Sequence, residues 1–145
     1  MKKKMVLIGV ALALPLVSLG IYLLFFLNIV NTNFATEATI RFSVRNDATG
    51  AFTTQEFLLT DEEDIVELKG IFRGRTARDS PACGFSMNVS ITMHGRGESL
   101  TFCLALDGCS IIRVNDSDRF IRISDSQREV LDDIFARFGF TFPAI

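Results

Sequence analysis

Hydrophobic positions along this chain follow three different rhythms. Residues 5–30 form a nearly unbroken apolar run without a charge, preceded by Lys2, Lys3 and Lys4. At about 1.5 Å per residue, a helix of that length reaches about 39 Å, more than the roughly 30 Å hydrocarbon layer of a bilayer. The run is therefore expected to be a retained single-span anchor. A cleavable signal has an apolar core of only about 7–15 residues before a small-x-small site. Cleavage near Ser18 and Gly20 would leave a greasy stub, and Thr36 with Ala38 offers only a weak second site for a secreted form. The three lysines precede the span and the first basic residue after it is Arg41. The positive-inside rule then keeps the N-terminus in the cytoplasm and sends the C-terminal part out.

Past the run, the period changes to two. Ala38, Ile40, Phe42 and Val44 alternate with Thr39, Arg41, Ser43 and Arg45, which predicts a strand with one buried face. A turn at residues 46–50 leads to a returning strand over 52–59. The clearest alternation sets Phe85, Met87, Val89, Ile91 and Met93 against Ser86, Asn88, Ser90 and Thr92. Leu100, Phe102, Leu104 and Leu106 continue the apolar side on the next strand. Asp107 and Gly108 predict a two-residue hairpin, because both tolerate positive φ. Strands over 109–114 and 119–123 complete the series.

A helical period appears twice. Thr60 and Glu63 match a capping box ahead of Ile65, Leu68 and Phe72, with Gly74 as a stop. Ser124 and Gln127 form a second box ahead of Leu131, Ile134, Phe135 and Phe138, with Gly139 placed to end that helix. The order strand, strand, helix, four strands, helix predicts an α+β two-layer sandwich: an antiparallel sheet with two helices on one face. The domain boundaries expected are 1–30 for the cytoplasmic lysines and anchor, 31–36 for a short polar linker containing Asn31, Thr32 and Asn33, and 37–145 for the extracytoplasmic domain. About 110 residues support one core and are too few for two.

Charge narrows the range of partners. The 17 acidic residues all follow residue 30, together with 12 of the 15 basic ones, so the outer part carries −5 while the whole chain carries −2. That balance lacks the basic footprint of a nucleic-acid binder. The lipid bilayer, through residues 5–30, is one expected partner. An envelope protein, contacted by the sheet face that no helix covers, is the other. That face would carry hydroxyls and arginine forks, which suit anionic and hydroxylated groups. Arg41, Arg45 and Asn88 are its candidate binding residues. The one concentrated basic stretch, residues 73–78, adds Arg75 and Arg78. It belongs to a loop over 75–83 through which an inhibitor or immunity-type module would grip an enzyme.

Three cysteines outside the cell imply one disulfide and one leftover thiol. Cys83 shares the parity of Phe85, and a two-residue hairpin puts Cys109 opposite Leu106, so both lean to the core side. Cys103 has the parity of Thr101 and points to the open side. Cys83–Cys109 is thus the expected bridge. Zinc is a poor fit, since Cys103 and Cys109 with a lone His94 lack the paired close spacing of structural sites. No cofactor is called for.

The segments Cys83-Gly84-Phe85 and 102–109, with Phe140-Thr141-Phe142-Pro143-Ala144, resemble a group of small, uncharacterised, membrane-anchored bacterial envelope domains over residues 60–145. In that group a cysteine often stands where this chain has Ala144. The resemblance implies that Cys103 or Cys109 has lost a partner here, and it implies no activity.

Catalytic signatures are sparse. His94 is the single histidine and sits beside Gly95 at a strand end, with no Gly-x-Ser-x-Gly elbow in the chain. Asp61, Glu62, Glu63 and Asp64 suit the positive end of a helix dipole. Asp132 and Asp133 are expected on the outer, solvated face of the last helix. Asn115, Asp116 and Asp118 lack the glycine and terminal glutamate of a calcium loop. Asn88 and Asn115 begin glycosylation sequons by pattern alone. The expectation is a non-catalytic, membrane-anchored binding module; the rival from another class is an enzyme using His94 or Cys103.

Overall fold

In the computed structural model, residues 29–78 and 82–143 are described. Of the expected anchor over 5–30, residues 5–28 lie outside them. Among the described residues no helix is long and apolar enough to cross a membrane.

Among the described residues, nine strands and two helices follow in the order β1 (Ile29–Val30), β2 (Glu37–Arg45), β3 (Phe52–Leu59), α1 (Glu62–Phe72), β4 (Gly74–Arg75), β5 (Ala77–Arg78), β6 (Phe85–Gly95), β7 (Glu98–Ala105), β8 (Ile111–Val114), β9 (Arg119–Arg122) and α2 (Asp125–Arg137). Seven of the strands form one antiparallel sheet ordered β3-β2-β6-β7-β8-β9-β5, and β1 pairs with β4 apart from it. The fold is α+β, built on this large antiparallel sheet with two helices.

One side of the sheet carries the core. Ile40 pairs with Phe57 and Ile91, Ile91 with Phe102, and Phe102 with Val114, so a continuous apolar row crosses five strands. Directly opposed residues in antiparallel strands point the same way. Phe72 of α1 stacks on Phe102 at 4.1 Å between ring centroids, and Phe135 of α2 meets Phe42 at 6.2 Å. Phe42 and Phe102 belong to the same side, so both helices lean on it. Burying a phenylalanine in such a row contributes about 1.5–3 kcal/mol. The tail after α2 packs back as the apolar pattern implies: Phe140 lies 5.0 Å from Phe42, and Phe142 lies 5.2 Å from Phe135.

Capping follows the sequence at one helix and shifts at the other. At α2, Ser124 accepts from Gln127 N while the Gln127 side chain accepts from Ser124 N. Gly139, at φ +85°, ends that helix. At α1 the cap is Asp61 rather than Thr60: its carboxylate accepts from Glu63 N at 3.0 Å and Asp64 N at 3.3 Å. A charged oxygen one residue later outcompetes the hydroxyl for the same donors. Gly74 is not the stop, since the helix ends at Phe72 and Gly74 already belongs to β4.

The stretch 29–36 is sewn into the domain. Ile29 and Val30, the end of the apolar run, form β1 against Arg75 and Gly74. In the expected polar linker, Thr32 is fully buried and donates to the Lys69 carbonyl at 3.1 Å, while Phe34 and Ala35 join the core. Thr36 N donates to the His94 carbonyl at 2.8 Å, and the Phe34 carbonyl lies so near Gly95 that a side chain there would collide with it. Polar asparagines made this stretch look like a collar; the buried threonine and phenylalanine between them make it structure.

Three stability outcomes follow. Asp61→Ala should cost about 1 kcal/mol, and Thr60→Ala far less, by chemical denaturation of the full chain. Gly95→Ala should cost about 1–3 kcal/mol and expose residues 29–36 to limited proteolysis.

Candidate functional site

The side of the sheet facing away from the helices is the candidate surface. Its rows follow from register. Glu56, Arg41, Ser90, Cys103, Arg113 and Phe120 stand in one line across β3, β2, β6, β7, β8 and β9. Leu58, Thr39, Thr92 and Thr101 form the next line.

Over β2 and its neighbours the surface is hydroxyl-rich. The Thr92 and Thr101 hydroxyls lie 3.0 Å apart, and those of Ser43 and Thr54 lie 3.2 Å apart. His94 Nε2 is 3.1 Å from Thr39 Oγ1. Arg41 pairs with Glu56 at 3.4 Å with both side chains largely exposed, a contact worth about 0–1 kcal/mol. Arg45 is exposed near the 46–50 turn. Arg41 and Arg45 therefore share one face of one strand, as their spacing predicts.

Asn88 is a different matter. Phe85 pairs with Ala105 and Ser90 with Cys103, so β6 takes five steps where β7 takes two. The three extra residues form an irregular bulge, and an odd insertion reverses the side to which everything before it points. Phe85 consequently leaves the core side, where the alternation placed it. Its ring lies 5.3 Å from Phe120, and the Arg113 guanidinium sits 5.8 Å from its centroid. Asn88 is exposed inside the bulge, its N–H donating to Ser86 Oγ at 3.1 Å, so alternation does not assign it to the Arg41 face.

The bulge also closes over Cys103. The thiol points to the open side, as its parity predicts, yet it is fully buried, with Met87 Sδ 3.1 Å from its sulfur. Burial pushes the Cys103 thiol up, while Arg113 beside it pulls it down by hydrogen bond and charge. The thiol is covered and burial disfavours its ionisation, unlike the exposed thiolate that redox or nucleophilic chemistry uses. Ser90, expected on the open polar surface, is buried with it.

Cys83 and Cys109 form the disulfide, with Cα atoms 6.2 Å apart. The route differs from the one parity implied. Leu104 pairs with Ile112, so residues 106–110 form a five-residue loop around Gly108 instead of a two-residue hairpin. Cys109 lies in that loop and not opposite Leu106. The loop is held to Gly84 from both sides: Gly84 N donates to Asp107 Oδ2 at 2.8 Å, and Leu106 N donates to the Gly84 carbonyl at 2.9 Å. Cys83, Asp107 and Cys109 lie close enough to hold an ion. Both sulfurs are in the bridge, and Asp107 already accepts from Gly84.

Arg128 supports the same loop from below. It is buried and donates to the carbonyls of Ala105 at 3.1 Å and Cys109 at 3.4 Å. It also pairs with Asp132 at 2.8 Å and lies 4.2 Å from the centre of Phe142. Asp132 is thus tied to Arg128 while its side chain stays partly exposed to solvent, as expected. The sequence offered no signal for Arg128, since its position on the apolar stripe of α2 is legible only once α2 and the β7–β8 loop are together.

The remaining candidates are scattered. Arg75 stands in β4 beside Ile29, and Arg78 in β5 pairs with Asp118 at 3.6 Å. The expected loop over 75–83 therefore begins as two short strands. Asp116 pairs with Arg113 at 3.6 Å, and Asn115 Oδ1 accepts from Thr101 N at 3.0 Å. These groups are engaged with the protein itself rather than arranged around a cation.

No family model, curated protein or solved structure matches this chain.

The covered thiol gives a direct check. In the full chain at pH 8.5, Cys103 should alkylate at least about tenfold more slowly than in urea, and Met87→Ala should recover most of the difference. Because the folded thiol is raised, its contribution to stability is complete below the ordinary thiol range. It is lost as pH climbs through the folded value.

Proposed function

We propose that the chain is a membrane-anchored, extracytoplasmic, non-catalytic module that binds an envelope protein through the open sheet face over β2. The observation that carries this reading is the two-sidedness of the sheet. Both helices lean on one side, while Thr39, Arg41, Ser43 and Arg45 present hydroxyls and guanidinium forks from the other. Arginine forks bind carboxylates in a bidentate way, and short hydroxyls supply donors at little entropic cost.

The disulfide supports the compartment, since such bridges persist in oxidising surroundings. The apolar run over 5–28 with its leading lysines supports the anchor and its orientation. Ile29 and Val30 already belong to β1, so the domain would sit directly at the bilayer without a free tether.

Two measurements test this. Arg41→Glu combined with Arg45→Glu should lower capture of the partner from solubilised membranes by at least about fivefold, with an unchanged circular dichroism spectrum. Unchanged capture overturns the assignment of the face, and a surface hydrolase captured through residues 75–83 supports the inhibitor reading instead. Alkaline carbonate should leave the full chain in the membrane pellet; release counts against a retained span.

A further inference from the structure

The two ends of the large sheet are finished differently. At one end β5 has two residues, a length too short to template another strand. At the other end β3 has eight residues, and among the described residues its outer side meets no strand. β3 contains no proline, lysine or glycine, and its one charged residue, Glu56, is paired with Arg41. Eight residues of unblunted edge leave a row of backbone donors and acceptors whose natural complement is another extended strand.

The side chains of β3 specify which strand. Phe52 and Leu58 are 72% and 61% exposed, large apolar groups left in water on the open side of the sheet. They stand three residues before and three after Gln55. Antiparallel pairing about Gln55 sets Phe52 against the second copy's Leu58 and Leu58 against its Phe52. It sets Thr54 against Glu56 and Gln55 against its own counterpart. No charge then faces a like charge, each carboxylate meets a hydroxyl donor, and each stranded apolar group meets another. A register displaced by one residue is forbidden by the pleat, and one displaced by two opposes unlike partners.

We propose that β3 is a self-association edge, joining two copies of this chain about a two-fold axis at Gln55 into one fourteen-stranded sheet. The interface is isologous, the usual form of a homodimer. It uses the outer edge of β3, one strand away from Arg41 and Arg45, and does not require the binding role proposed for that face.

The test uses the full chain in detergent micelles, with mass by light scattering and helix content by circular dichroism. The wild-type chain should carry twice the monomer mass. Phe52→Glu with Leu58→Glu places two like-charge pairs across the axis and should raise the dimer dissociation constant by at least about tenfold. Phe52→Glu with Leu58→Lys places opposite charges in the same pairs and should restore the dimer. Gln55→Cys should cross-link to its counterpart under mild oxidation, because directly opposed Cα atoms lie within disulfide reach. Glu129→Cys, on the exposed side of α2, should not cross-link. A monomeric wild-type chain overturns the proposal. So does a folded Phe52→Glu/Leu58→Glu chain that associates as tightly as wild type, or a Gln55→Cys chain that resists cross-linking.

Discussion

Burial of one side of the β2–β6–β7 ladder is the constraint from which the other features follow. Ile40, Ile91 and Phe102 are fully buried in one row, and Phe72 is stacked on the last of them. A slip of one residue in any of these strands would turn that row toward water and its hydroxyls toward the helices. The apolar side therefore fixes register, and register fixes what the other side displays. Thr39 meets Thr92, and Arg41 meets Glu56, because Ile40 between them has no alternative position.

That logic is broken once, in the first half of β6, and the break has consequences. Three extra residues reverse the strand and carry Phe85 and Met87 onto the open side. There they bury Cys103 and shield Arg113, turning half of the outer face from a hydroxyl field into a small apolar cap. The disulfide and Asp107 hold the entry to the bulge, and Arg128 holds the adjacent loop by its carbonyls. A buried arginine is tolerable there because Asp132 neutralises it and its donors find acceptors. The sheet is thus divided into a stiffened β7–β9 half and a plainer β2–β3 half that ends in an open edge.

Electrostatics serve placement more than stability. Asp64, buried at the start of α1, accepts from Arg137 near the end of α2 at 2.6 Å, joining the two helices end to end. Arg41–Glu56 and Arg78–Asp118 lie on the surface, where water and salt screen them. Their effect is to orient side chains on the outer face and at the β5 edge.

Periodicity alone determined most elements. The β2, β3 and β7 strands, the α2 capping box and the glycine after α2 were legible, because local hydrogen bonding and alternation decide them; the Cys83–Cys109 pairing was expected too, but the bulge and the 106–110 loop, not alternation, bring the two together. Tertiary structure decided the rest. The shift of the α1 cap from Thr60 to Asp61 is the local exception, a carboxylate accepting from Glu63 N and Asp64 N. Thr32 and Phe34 left the linker because Lys69 and Gly95 offered them sites distant in sequence. The β6 bulge, the burial of Cys103 and the role of Arg128 depend on which segments meet across the sheet. A sequence read by alternation carries the period of a strand but not an insertion that reverses it, because only the partner strand defines register.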